Sequence, residues 1–314
     1  MNPAPATRPF LFNHGAALDD GTLYVAGVVR ELEDRDVPHT ILWERVAGEW
    51  RRFQWKNRTY GMVAYALGES RTVVYLGYDG TLKVRNDVAG SSEEQLTAED
   101  DGPSVLRTVS GLRVVGDRLF VAGMRRMVFS RPLGGSTWER VDEGVRQARG
   151  DRALAGIYTL DGHHPGSLYA AGIGGEVWHR ADGAWSRLAS PTGMTLSALR
   201  SLGDARFVMG GERGALWRFE HGAWSAVSHP YTDETFSCIQ TWRGRCFVST
   251  QSGAVFELSA GDSPSLEPFS VPGTSRTSWM AATSEHLWFF GSHSVSAWSE
   301  AGWRDESPPA ALLE

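Results

Sequence analysis

Cysteine is nearly missing from this chain, with two residues, Cys238 and Cys246, among 314. A sequence this long and this poor in cysteine is not held together by a disulfide framework. If Arg243-Gly244 forms a two-residue hairpin turn, Thr241 faces Cys246 and Cys238 faces Ser249. That register keeps the two thiols too far apart to bridge, so both are expected as buried free thiols. Metal-binding spacings of Cys and His are also lacking, and no cofactor is expected. Apolar runs are short. None has the length of a membrane span, and the opening MNPAPATRPFLFNHG carries no apolar core of signal-peptide length. A cytoplasmic protein with no membrane partner is therefore expected. Positive charge is not in excess either. The 31 Lys and Arg against 37 Asp and Glu leave a net charge of −6, which gives no general attraction to phosphate backbones and makes nucleic acid a poor partner. Helical periodicity is almost absent. The glycine-rich Gly172-Ile173-Gly174-Gly175 reads as a turn between strands, not as a phosphate loop opening a helix.

What the chain does hold is glycine (36), tryptophan (13) and a repeated unit. Two copies show the unit plainly: SLYAAGIGGEVWHRADGAWSRLASP from Ser167 and ARFVMGGERGALWRFEHGAWSAVSHP from Ala205. Each has an apolar run ending in glycine, a short turn, a run centred on tryptophan, a second turn, and a run opened by another tryptophan. Aligned on the end of the glycine-terminated run, seven copies end at Gly27, Gly77, Gly123, Gly172, Gly210, Thr250 and Gly291, spaced 38 to 50 residues apart. Three positions earlier stand Tyr24, Val74, Phe120, Tyr169, Phe207, Phe247 and Trp288, six of them aromatic. Four short strands per period of this length predict a single all-β domain, a seven-bladed β-propeller with four antiparallel strands (a to d) per blade. The blades are expected at about 10–56, 57–100, 101–148, 149–191, 192–230, 231–272 and 273–309. No strand is left over to complete a blade from the opposite terminus. Closure is expected from blade 7 packing face to face on blade 1, helped by the segment Arg8–Phe12.

These residues resemble the bacterial BNR or Asp-box-like propeller repeats. Ala181-Asp182-Gly183-Ala184-Trp185 matches the tail of that unit. Ser130-Arg131-Pro132-Leu133-Gly134-Gly135-Ser136-Thr137-Trp138 is similar to an Asp-box, with Pro132 where the defining aspartate stands. Val208-Met209-Gly210-Gly211 followed by Trp217 and Trp224 is also similar to kelch repeats, whereas the Gly-His and Trp-Asp pairing of WD40 repeats is missing. The resemblance covers about 300 residues. It implies the propeller fold and says little about function.

In such a ring the a–b and c–d turns share one face, while the b–c and d–a connections share the other. The first set is tight and made of turn residues: Asp19-Asp20-Gly21, Gly116-Asp117, Asp182-Gly183, His221-Gly222 and Glu300-Ala301-Gly302. The second set holds long charged insertions, and binding concentrates on such loops. The expected partner-binding residues are Arg30, Glu31, Glu33, Asp34 and Asp36 in blade 1, and Glu93, Glu94, Glu99, Asp100 and Asp101 after blade 2. To these are added Arg125 and Arg126 in blade 3, and Arg146, Arg149 and Arg152 before blade 4. Blades 5–7, with shorter repeats, read as structural filler. Counting two residues back from the last apolar residue of each strand a gives a second candidate, a channel ring of Tyr65, Arg113, Tyr158, Arg200 and Gln240, flanked by Ala16 and Ala281. Two arginines there suit an anion or an inserted acidic side chain.

Catalytic constellations are thin. Glycoside hydrolysis needs two carboxylates at a set separation, and the carboxylates here sit in turns and loops. His163-His164 has no third metal ligand adjacent in sequence. The expected function is a non-enzymatic protein-binding module, monomeric on its own: a scaffold, a complex subunit, or an antitoxin-like inhibitor covering an enzyme. The alternative is a sialidase-like carbohydrate hydrolase or lyase with its site around Arg113, Tyr158 and Arg200.

Overall fold

Two-residue turns carry much of the local structure. At Asp182-Gly183 and Arg243-Gly244 both residues have positive φ (50° and 85°; 48° and 75°), the backbone that joins twisted antiparallel strands most tightly. The second of these fixes Thr241 opposite Cys246 and Cys238 opposite Ser249, the register expected from the sequence, and both thiols are free and buried. The computed structural model describes residues 10–96, 109–148, 150–261, 264–273 and 276–313. They form seven four-stranded antiparallel sheets, 10–55, 59–95, 109–140, 157–188, 196–226, 236–268 and 277–305, each built from consecutive strands. The chain is a seven-bladed β-propeller.

Strand b is buried on both faces, and its alternate residues turn to opposite neighbours. Leu23 and Val25 pack toward blade 7, for example, while Tyr24 packs toward blade 2. One register position differs from the sequence alignment. In blade 5 it is Gly211, not Gly210, that pairs with the start of strand a, as Gly172 does in blade 4. A Cβ at either glycine would run into the carbonyl just before strand a, that of Gly156 or of Thr195, so each position requires glycine. The residue three before the end in blade 5 is therefore Val208. Phe207 points the other way, onto Tyr169 of blade 4 with ring centroids 4.3 Å apart.

The tryptophans link blades. Trp185 donates to the Val141 carbonyl at 2.6 Å and Trp224 to that of Ala189 at 2.7 Å. Trp55 donates to Glu93 at 3.0 Å and Trp138 to Glu94 at 2.9 Å. Closure needs no exchanged strand. The Phe12 amide donates to the Ser292 carbonyl at 2.9 Å, and Ser278 donates to the Phe12 carbonyl at 3.1 Å. The turn Ala310–Leu312 folds back onto blade 1, where fully buried Trp43 donates to the Leu312 carbonyl at 3.0 Å. Phe10 and Phe12 meet Trp43 edge-on at 5.3 and 5.1 Å. Arg8 lies outside the described residues.

Candidate functional site

The loop face is assembled by contacts between adjacent connections. In blade 1 the b–c insertion begins with a five-residue helix, Arg30–Asp34, where the sequence showed only a charged loop. Arg58, in the connection to blade 2, bonds Asp36 at 2.8 Å and lies 3.5 Å from Glu33. Arg30, Glu31 and Asp34 stay exposed. In blade 3, Arg125 and Arg126 both adopt positive φ, 56° and 57°. Arg125 donates to the Ala148 carbonyl at 2.8 Å. Arg126 grips Glu176 of blade 4 with two hydrogen bonds, 2.6 and 2.7 Å, and stacks on Trp178. The Arg126 guanidinium holds the Glu176 carboxyl below its usual range against the opposing effect of burial. Arg126 thus fastens one blade to the next, as bidentate pairs do.

Other expected loop residues turn out to be part of the ladder. Glu93 and Glu94 belong to the outer strand Gly90–Gln95, where they accept from Trp55 and Trp138 of the blades on either side. Glu94 also lies 3.3 Å from the fully buried Arg131. The sequence placed these two residues in a connection after blade 2, whereas Gly90–Gln95 is the fourth strand of that blade. Arg146 is half-buried and Arg152 exposed. Glu99, Asp100, Asp101 and Arg149 lie outside the described residues.

A feature that the charge pattern did not reveal is apolar. Among the described residues seven large hydrophobic side chains are exposed, and five of them stand on the loop face: Val37, Tyr60, Leu154, Met194 and Tyr231. Leu154 is 73% exposed. Met194 and Tyr231 precede blades 5 and 6, so the exposed apolar side chains of this face extend beyond blades 1–4.

The channel ring is only partly as counted. Register across the first two strands places Ala16, Val63, Arg113, Asp161, Arg200, Gln240 and Ala281 at one position. Tyr65 lies two residues further on and packs in the core between blades 2 and 3, because strand a of blade 2 runs on to Leu67. Tyr158 occupies a bulge between Ile157 and Thr159 and, with Arg113, lines a narrow central cavity of about 110 Å³. Gln240 is buried. Asp161 is the residue missed: strand a of blade 4 ends in two histidines, so counting back from its last apolar residue lands on Tyr158. Asp161 is 4% exposed. It lies between Arg113 at 3.9 Å and Arg200 at 3.6 Å, and accepts the Ser201 amide at 3.0 Å. Burial pulls the Arg200 guanidinium below its usual value, Asp161 pulls it back up, and Arg113 lowers it again. Asp161 is the one carboxylate among the described residues lining the two channel cavities, where glycoside hydrolysis requires a pair. Nearby, burial pushes the Cys246 thiol up to about 12, which leaves it protonated and a weak nucleophile.

No known family's sequence profile matches the chain. The chain is 23% identical over 287 residues to a protein named Immune protein Tsi7 from Pseudomonas aeruginosa, an alignment that spans 89% of this chain and 92% of that one. Among solved structures, the WD40 propeller domain of Doa1 superposes with a TM-score of 0.65 at 12% identity, covering 95% of this chain and 93% of that chain. The computationally designed protein Ika8 gives 0.60 at 12%, covering 96% and 87%. PorZ, a surface component of the type-IX secretion system of Porphyromonas gingivalis, gives 0.65 at 10%, covering 95% of this chain and 38% of PorZ. These three likenesses show the propeller fold.

Proposed function

We propose that this propeller is an immunity-type protein that binds a protein toxin through its loop face and neutralises it. The observation that carries the reading is the similarity to an immune protein along nearly the whole of both chains. The face is favoured by the five exposed apolar side chains that it carries, among them Val37, Leu154 and Tyr231. Apolar and aromatic anchors ringed by charge make a protein-binding surface. Here the ring is supplied by exposed Arg30, Glu31, Asp34 and Arg152.

The test has two steps. The intact protein is used to capture a stoichiometric partner from its native lysate, and the partner's gene is expressed in a bacterial host with and without this chain. Growth arrest by the partner, relieved by this chain, is the expected result. The combined Val37→Asp, Leu154→Asp and Tyr231→Asp variant should lose the relief while keeping its unfolding temperature. The Leu67→Asp, Val88→Asp variant, on the turn face, should retain it. Relief that survives the loop-face changes and fails with the turn-face changes would reverse the assignment of the face, and a partner that does not arrest growth would refute the function.

A further inference from the structure

Five of the seven blades place an aromatic at the strand b position that faces the next blade: Tyr24, Phe120, Tyr169, Phe247 and Trp288. Blade 2 has Val74, and the long side chains of Tyr65 and of Arg131 from blade 3 fill the space opposite it. Blade 5 has Val208, and opposite it blade 6 presents the row Thr241–Cys246–Leu258, in which neither Cys246 nor Leu258 is long enough to fill the gap. Small residues thus meet small residues at this one junction. The gap opens into a cavity of about 660 Å³ that begins at the channel mouth, against Val114 and Val115 of blade 3 and Asp161 and His163 of blade 4, and runs outward between blades 5 and 6. That is the size of a small-molecule site.

The walls of the cleft are cationic. Arg200, Val208 and Arg218 are cross-strand neighbours on strands a, b and c of blade 5. At one strand spacing each, the two arginines stand roughly 10 Å apart along the sheet. Both lean toward blade 6: Arg200 donates to the Thr241 hydroxyl at 3.3 Å, and Arg218 to the Gly261 carbonyl at 2.5 Å. Arg206 lines the same cleft. The nearby carboxylates are outnumbered. Asp161 is shared by Arg113 and Arg200. Glu220 is shared by Arg206 at 3.9 Å and Arg218 at 2.5 Å. Among the described residues, these four guanidiniums on two carboxylates leave an excess of positive charge in a chain whose net charge is −6.

We infer that the cleft between blades 5 and 6 binds a small organic anion, whose carboxylate or phosphate groups are held by Arg200 and Arg218 over an apolar floor of Val208, Cys246 and Leu258. The guanidinium fork suits such oxyanions. The inference does not depend on which face binds a protein partner.

The test titrates inorganic phosphate, citrate and adenosine 5′-monophosphate against the full chain at constant ionic strength, read by calorimetry and thermal shift. Saturable one-site binding of at least one anion is expected. Val208→Phe restores the aromatic of the other blades and should weaken that binding by about tenfold or more while leaving the ligand-free protein folded. Arg200→Gln with Arg218→Gln should do the same by removing charged hydrogen bonds, and it decides the matter if the phenylalanine variant does not fold. Failure of all three anions to saturate, or unchanged affinity in the folded variants, overturns the inference.

Discussion

Replacing Asp161 by asparagine removes one negative charge from between two guanidiniums while keeping an acceptor for the Ser201 amide. The shape of the site is unchanged, so the effect reads the charge itself. Breaking a buried ion pair costs about 3–5 kcal/mol when the surviving charge cannot reach water. Arg113 and Arg200 retain 21% and 26% of their side-chain surface, and discounting for that partial solvation leaves about 2–3 kcal/mol. An unfolding entropy of about 2.1 cal/mol/K per residue over 314 residues gives about 0.66 kcal/mol/K. The expected fall in Tm is therefore about 3–5 °C. Thermal unfolding followed by circular dichroism at low and at high salt provides the assay. The deficit should persist at high salt, because largely buried charges are poorly screened. A double-mutant cycle completes the test: Arg200→Gln on the Asp161→Asn background should cost less than Arg200→Gln alone, since it removes a cation that has lost its counter-ion. A Tm within one degree of the unchanged protein, or additive single effects, would refute the view that this triad is a coupled unit.

Two further outcomes follow from the packing. Trp43→Ala removes the side chain that clasps the C-terminal turn to blade 1, and should cost about 3–5 kcal/mol, seen as a lower urea midpoint and faster amide exchange over Ala310–Leu312; unchanged exchange there would show that the turn is held by something else. Burial beside Trp279 pulls the His14 imidazole down from 6.5 to about 4. Below pH 6.5 the unfolded chain takes up a proton that the folded chain refuses, so this group's contribution is intact above pH 6.5 and is lost as pH falls toward 4. Between pH 7 and pH 5 the loss is about 2 kcal/mol. Urea melts at the two pH values should show it, and His14→Gln should flatten that part of the difference; an equal pH dependence in the variant would refute the assignment.

The sequence by itself determined the ring. Repeated strand-ending glycines and paired turns are local properties, and each blade is built from consecutive strands, so counting residues was enough to find seven blades and to set the cysteine register through Arg243-Gly244. It also separated the two faces, because strands that alternate in direction leave their connections alternating between faces. What it could not fix was anything that depends on a bulge or on the blade next door. Strand a of blade 4 runs past its last apolar residue, Leu160, through a bulge between Gly162 and His164, so a count back from Leu160 stopped at Tyr158 instead of Asp161. The terminal pair Gly210-Gly211 allowed Phe207 to take the place of Val208 for a similar reason, since both glycines read alike and only the ladder tells which one ends the strand. Partner choice is non-local in the same sense. Arg126 meets Glu176 fifty residues away, and Glu93 and Glu94 meet tryptophans of two other blades. Whether a charged side chain faces a partner protein or a neighbouring blade is decided by curvature of the ring, and that exists only once seven sheets have closed on one another.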